Sequence, residues 1–190
     1  ANGPLDALAA QLSLRSEAAT VAGRKLEGFT VDVEGTADKA APKGTLRMAG
    51  RIDGQQVQGT ADLVAENGRS AIPALNITVG SNRLDGAIAF SPAFLPSGNL
   101  TFDFPDIGLL AAFAGQTASG DLKGTLALQE NNGRLSAEVV AAGNSIQRDT
   151  LTIAKPDIKL NISDLAAFAV EGTVAASEVK SGANRVEAPK

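Results

Sequence analysis

Histidine, cysteine, tryptophan and tyrosine are absent from the 190-residue chain, and methionine occurs once. Without histidine, no side chain has an unperturbed pKa near neutrality, so the usual proton shuttle is missing. Without cysteine there is no thiolate nucleophile and no disulfide, and zinc could be held only by carboxylates. Most enzyme classes leave with those residues, and the chain is expected to be non-enzymatic, with no cofactor and no metal cluster. Seventeen Lys+Arg against twenty-one Asp+Glu give a net charge of -4, with no basic block and 4% aromatics. That is the reverse of a nucleic-acid footprint. The longest apolar run, Ile107 to Gly115, is about nine residues where a bilayer span needs about 20. No targeting signal is visible at Ala1. The abrupt ends suggest an excised segment of a longer protein.

What remains is 44% hydrophobic, with twenty Gly and eight Pro, enough apolar material for one ordinary domain or two small ones. Its period is two nearly everywhere. Phe29, Val31 and Val33 alternate with Thr30, Asp32 and Glu34; Leu46, Met48 and Ile52 share one face, Thr45, Arg47 and Arg51 the other. The pattern returns in Leu75, Ile77 and Val79; Leu84, Ile88 and Phe90; Leu100, Phe102 and Phe104; Leu122, Leu126 and Leu128. It continues through Leu135 and Val139, Leu151 and Ile153, Ile158, Leu160 and Ile162, and Val170 and Val174. Successive strand side chains point to opposite faces, so these are strands apolar on one side and polar on the other. Turn signals separate them at Pro42 to Gly44, Asp53-Gly54, Asn67-Gly68, Pro96 to Gly98, Asn131 to Gly133 and Gly143-Asn144. The spacing predicts an all-β, long, mostly antiparallel meander.

Asp106 to Ala114 and Asp164 to Ala169 interrupt the alternation. Each opens on Asp, a good N-cap, and continues in Leu, Ala and Phe, predicting one or two short helices. One offset of 58 aligns Leu100, Phe102, Phe104 and Asp106 with Ile158, Leu160, Ile162 and Asp164, an internal repeat over 100–114 and 158–169.

Catalytic letters are few and each has a plainer reading. Ser177-Glu178-Val179-Lys180 spells S-x-x-K, which works where a helix brings i and i+3 together; this segment follows a strand-like run and has no K-T-G partner. Asp103 and Asp106 are separated by Phe104-Pro105, and Asp106 serves better as a cap. The sequons at Asn76, Asn99 and Asn161 fall inside predicted strands.

Strand spacing and side-chain repeat give each inward residue about 32 Å², so roughly 35 inward positions make a face of about 1,100 Å². Soluble monomers rarely expose patches above a few hundred Å². Two coverings remain: the sheet closes on itself as a sandwich, barrel or solenoid, or it stays partly open around another apolar molecule. No ionisable group lies on the face to orient a specific ligand, which favours non-directional guests such as acyl chains.

The stretch PSGNLTFDFPDIGLLAAFAGQTASGDLKGTLAL from Pro96 to Leu128, with the later echo from Leu165 to Val174, resembles the repetitive periplasmic region of the TamB family of translocation and assembly module subunits, within the wider AsmA-like group. The likeness is one of texture across most of the chain: Ala- and Gly-rich amphipathic strands and L-x-G-x-I/L steps such as Leu84 to Ile88 and Leu122 to Leu126. It implies a U-shaped trough, the β-taco, spanning residues 1–190 as a single elongated segment of a longer protein tethered to the inner membrane. It also implies a periplasmic conduit that carries phospholipid acyl chains between inner and outer membranes and supports outer-membrane protein and autotransporter assembly. The alternative is chaperone-like edge binding of unfolded outer-membrane strands. Carried onto this chain, the lipid-binding wall would be Val31, Val33, Leu46, Met48, Ile52, Leu75, Ile77, Val79, Ile88, Phe90, Leu100, Phe102, Phe104, Leu126, Leu128, Leu160 and Ile162. The family's outer-membrane partner TamA and its protein substrates would be met through other parts of the full-length protein, since no membrane anchor or partner-docking end is recognisable here.

Overall fold

A computed structural model describes residues 7–21, 23–38, 41–66, 69–113, 115–131, 133–167 and 169–187. Among them the chain is nearly all strand. One antiparallel sheet has eleven strands in the order β1-β2-β3-β4-β5-β6-β7-β9-β10-β13-β14: Ala7–Val21, Arg24–Asp38, Lys43–Ile52, Gln55–Glu66, Arg69–Val79, Asn82–Phe90, Pro96–Phe104, Leu122–Asn131, Arg134–Ala142, Asp157–Asp164 and Ala169–Ala175. Among the described residues the hydrogen-bonded order begins at β1 and ends at β14. A second sheet runs β16-β15-β12-β11-β8, formed by Asn184–Glu187, Glu178–Ser181, Leu151–Ala154, Ser145–Arg148 and Ser119–Gly120. The helix among the described residues, α1, is Gly108–Phe113, and none there is long and apolar enough to cross a membrane. The predicted all-β antiparallel meander with a short helix is the fold observed.

The chain divides into two compact units. In the first, Ala1–Gly80 and Leu84–Gly98, consecutive strands pair as hairpins. Asp53-Gly54 makes the β3–β4 turn with φ of 48° and 81°, the left-handed pair that matches hairpin twist. Two bulges adjust the ladder. Gly28, at φ 55°, sits where the β2–β3 register shifts, and Pro73 sits where β4–β5 shifts. Proline has no N–H for an interior ladder, so a bulge is the position that tolerates it.

In the second unit, Ser81–Arg83 and Asn99–Lys190, strands run on across a corner. β8 continues into β9 past Asp121, β10 into β11 past Gly143-Asn144, β12 into β13 past Lys155-Pro156, and β14 into β15 past Ala176-Ser177. Strands that switch sheets at a bend are a known way to turn a corner. The bend is pinned by short-range bonds. The Asp121 carboxylate accepts from Asn144 N–H at 2.9 Å and Asn144 Nδ2 at 3.0 Å, Gly143 N–H donates to the Pro156 carbonyl, and Lys155 N–H donates to the Asn144 carbonyl. Lys155 takes φ 49°, and Pro156 is fully buried. Beyond the corner, Ile146, Ile153, Val179 and Val186 oppose one another across the small sheet.

Several local expectations change. Gly143-Asn144 is a corner and not a hairpin turn; the reversal comes at Asp149-Thr150, with Asp149 at φ 52°. Pro96 to Gly98 lie inside β7, because the chain reverses earlier through Ser91–Leu95, closed by Ser91 N–H on the Leu95 carbonyl and Phe94 N–H on the Ser91 carbonyl. Asn67-Gly68 lies outside the described residues. Asp106 accepts from Gly108 N–H and opens α1, whereas Asp164 accepts from Ala166 and Ala167 N–H and opens a turn over 165–167. Both halves of the expected repeat therefore share a strand and then an Asp that binds the next N–H groups. They differ in the element this Asp opens, a helix in one half and a turn in the other.

Candidate functional site

The register of the first unit builds apolar rows across the sheet. One row is Leu12, Val33, Leu46, Ala61 and Leu75; the next is Leu14, Val31, Met48, Gly59 and Ile77. Val79 follows beside Val57, and Ile52 beside Leu26. The Asn76 amide bonds the Asp85 carboxylate on the polar face, so the alternate β6 positions, Ile88 and Phe90, fall on the apolar one. In the second unit, Leu126, Val139, Leu160 and Gly172 form one row, and Leu128, Ala137, Ile162 and Val170 the next. Phe102 lies over Gly124 on that face, stacked on Phe104 with ring centroids 5.0 Å apart, and Leu100 shares their alternation. Within each unit, the seventeen wall residues named from sequence thus share one face.

That face is incompletely hidden. Among the described residues the buried hydrophobics are Val57, Ala61, Leu100, Ala137 and Ala141; of the seventeen, only Leu100 is buried and the others are half-buried.

Glycine decides where the face is filled. A Cβ on Gly50 would meet the Phe29 ring, on Gly59 the Met48 side chain, on Gly124 Phe102 and on Gly172 Leu160. Each of these glycines lies beneath a large neighbour that leans across it. Gly35 and Gly44 are different. They oppose each other directly across β2 and β3, next to Ala10 on β1, and the nearest atoms to either are backbone. Three cross-strand positions with almost no side chain leave a bare floor, and a groove of about 450 Å³ stands there. Leu12, Val33, Leu63, Val64, Ile72 and Phe90 line it, with Gln11, Thr36 and Ser70 as polar neighbours; Lys43 is its one ionisable lining residue.

Two other hollows are less apolar. One of about 680 Å³ lies on the second unit along Gln129, Ser136, Glu138, Lys159, Asn161 and Glu171. One of about 510 Å³ sits beside Phe102 and Gly124, with Lys123, Asp157 and Lys159 among its lining residues. Neither offers the continuous apolar wall of the first.

Of the wall residues named from sequence, Val33 and Phe90 line the groove and the rest lie elsewhere on the same faces. Sequence reasoning misses Leu12, Leu63, Val64 and Ile72, and with them the Gly35–Gly44 floor. Leu63-Val64 breaks the alternation because the bulge at Pro73 shifts the ladder there, and β1 hides its leucines among alanines.

Other chemical candidates have structural partners. Ser177 Oγ donates to the Ala154 carbonyl, and Lys180 and Arg185 pair with Glu178, holding its carboxyl below the usual range chiefly through the Lys180 hydrogen bond. Asn82, a buried polar residue, donates to the Asp106 carbonyl and accepts its N–H, so its amide ties β6 to the start of α1. No cluster of His, Cys, Asp or Glu able to hold a metal occurs among the described residues.

No family model matches the chain, and neither a curated protein nor a solved structure matches it.

Proposed function

We propose that this chain is part of a non-enzymatic periplasmic conduit whose apolar sheet face carries phospholipid acyl chains between the inner and outer membranes. The observation that carries the reading is the first unit's apolar face: half-buried along its rows, and opened over the Gly35–Gly44 floor into a groove with a single ionisable lining residue. Each methylene moved from water onto such a surface gains about 0.8 kcal/mol. A wall without directional polar groups gains it equally at many positions, which suits a chain that slides. The sequence's resemblance to TamB-like proteins supports the same reading.

Native mass spectrometry of the chain purified from bacterial membranes tests it. Bound phospholipid is expected, and photoreactive side chains placed at Phe90 should crosslink lipid while the same group at Asp62, which alternates with Ala61 and Leu63 on β4, should not. A ligand-free protein with no lipid adduct from Phe90 overturns the proposal.

The last strand of the large sheet favours a second reading, chaperone-like capture of unfolded outer-membrane strands. β14, last in the sheet order among the described residues, is exposed at every residue from Ala169 to Ala175, and an edge strand can template another. Polypeptide crosslinks from Val174, without lipid crosslinks from Phe90, would favour capture over conduction.

A further inference from the structure

Ionisable side chains mark the hairpin reversals of this chain: Asp53 between β3 and β4, Arg69 after β4, Arg83 after β5, Arg134 after β9, Asp149 after β11 and Arg185 after β15. The β6–β7 reversal departs from them. From Gly86 to Phe102 the sequence holds no charge, and the β6 positions that alternate onto the polar face beyond Asp85 are Ala87 and Ala89. Its tip, Pro92-Ala93-Phe94, is apolar and exposed at each residue, with Phe94 76% exposed. Phe94 takes φ 59°, the left-handed region where glycine or asparagine is the ordinary occupant. A bulky ring held there and left in water carries a backbone cost, and such costs collect where a contact is made.

The loop's backbone donors are closed on the loop itself. Ser91 N–H donates to the Leu95 carbonyl at 3.0 Å, Phe94 N–H to the Ser91 carbonyl at 2.8 Å and Leu95 N–H to Ser91 Oγ at 3.3 Å. Pro92 and Pro96 have no N–H. Within residues 91–96, Ala93 alone keeps a backbone donor that has no bond among the described residues. An unbonded donor is expensive in lipid, which has no group to meet it, whereas a protein pocket can supply one. A tip that has already spent its donors is matched to a bilayer. The Pro92, Ala93 and Phe94 carbonyls accept no bond among the described residues, so water must still reach them, and the depth that fits is the interface and not the hydrocarbon centre.

We propose that the β6–β7 loop is a bilayer-docking tip, with Phe94 entering the interfacial region of a phospholipid membrane and Pro92 and Ala93 beside it. Phe90, which lines the first unit's groove, ends the strand that leads into the tip, so docking brings the β6 side of the groove to the membrane surface. An uncharged tip attaches through apolar burial, so its hold on neutral lipid survives high salt. The proposal rests on the tip and not on the conduit reading, and filling the groove leaves it intact.

The absence of tryptophan supplies the probe. Phe94→Trp, mixed with phosphatidylcholine vesicles, should show a blue-shifted emission and a several-fold fall in iodide quenching, both unchanged in high salt. Gln56→Trp, exposed beside the β3–β4 turn at the opposite end of the strands, should show neither. Adding Ala93→Asp to Phe94→Trp charges an exposed position and should abolish the shift with an unchanged circular-dichroism spectrum. The unmodified chain should float with the vesicles in a density gradient, and its Ala93→Asp variant should not. Adding Gly44→Val, which raises the groove floor, should leave the shift in place; if phospholipid retention is lost while the shift persists, the tip stands and the conduit reading falls. No shift with vesicles overturns the proposal and leaves the tip to a protein partner. Equal shifts at both positions overturn it too, as does a shift that Gly44→Val removes, because the probe would then be reporting lipid in the groove.

Discussion

The two units solve the same problem differently. Both are made from period-two strands with one apolar face, yet the first extends its strands through hairpins of 15, 15, 10, 12 and 11 residues, while the second breaks its strands at a corner and continues them in another sheet. In the second unit Phe102 leans over Gly124 and Leu160 over Gly172, and the hollows beside them are lined in part by charged side chains. In the first, the same device is used at Gly50 and Gly59 and then omitted at Gly35 and Gly44, and the groove lies where it is omitted. Apolar alternation sets which way side chains point; the distribution of glycine, proline and aspartate sets whether the resulting surface is filled or left open.

The comparison can be broken most forcefully at its best-buried leucine. Leu100→Ala in the second unit should cost about 2–5 kcal/mol, the range for a leucine emptied from a packed site. Leu46→Ala on the half-buried face of the first unit should cost about 1 kcal/mol, because much of its surface already meets water. Urea denaturation of the two variants checks this, and equal losses would mean that the first unit's face is as closed as the second's core.

The glycines sharpen the contrast. A Cβ on Gly124 would run into the Val140 carbonyl oxygen and stand 2.9 Å from the Phe102 ring, whereas on Gly44 its nearest neighbour, the Glu34 carbonyl oxygen, is 3.1 Å away. Gly124→Val should therefore cost about 1–3 kcal/mol through overpacking. Gly44→Val should change stability by less than about 1 kcal/mol, since strands favour the branched side chain, while raising the groove floor and reducing phospholipid retention several-fold. Thermal melts and native mass spectrometry read the two effects, and undiminished retention in Gly44→Val would remove the groove from the binding surface.

At the corner, Asp121 binds the Asn144 backbone and amide and also accepts from Ser145 N–H at 3.4 Å. Asp121→Ala leaves those donors to water and should cost about 1 kcal/mol, with amide exchange accelerating around 143–146 and not in β1–β5. Faster exchange in both units, or in neither, would show that the corner is not held locally.

How far the sequence discloses this depends on range. Phe29 to Val33 and Leu100 to Phe104 announce strand and face together, because each apolar side chain has its polar neighbour beside it. β1 does not, since Ala9, Ala10, Ala18 and Ala19 weaken both the alternation and the strand propensity that would reveal Leu12 and Leu14. The segment after Asp164 misleads for a related reason: DLAAFA has the composition of a helix, but Leu165 N–H is drawn to the Leu135 carbonyl and the segment closes as a turn. The groove is the least legible feature. It depends on Gly35 opposing Gly44, and register is a relation between strands that neither strand states alone.

Acid separates the units by a different route. In the first, the β3–β4 turn is tied back to β2: the Asp53 carboxylate accepts from Lys25 N–H at 3.0 Å and pairs with Arg24 at 2.9 Å. These contacts, the Lys25 N–H first and the Arg24 guanidinium second, hold its pKa below the ordinary 3.8. In the second, Glu178 lies below its ordinary 4.5 through the Lys180 hydrogen bond first, with Arg185 adding its charge. A carboxyl lowered in the folded state contributes stability above its unfolded pKa and loses it as pH falls through the folded value. Both units should therefore loosen in acid below those ordinary values, each at its own place. Asp53→Asn should abolish the acid-dependent rise in exchange at the β2–β3 end while leaving the small sheet's rise intact, and Glu178→Gln should do the converse. If either substitution flattens the acid response of both regions, the two units titrate as one body and their division is not a thermodynamic one.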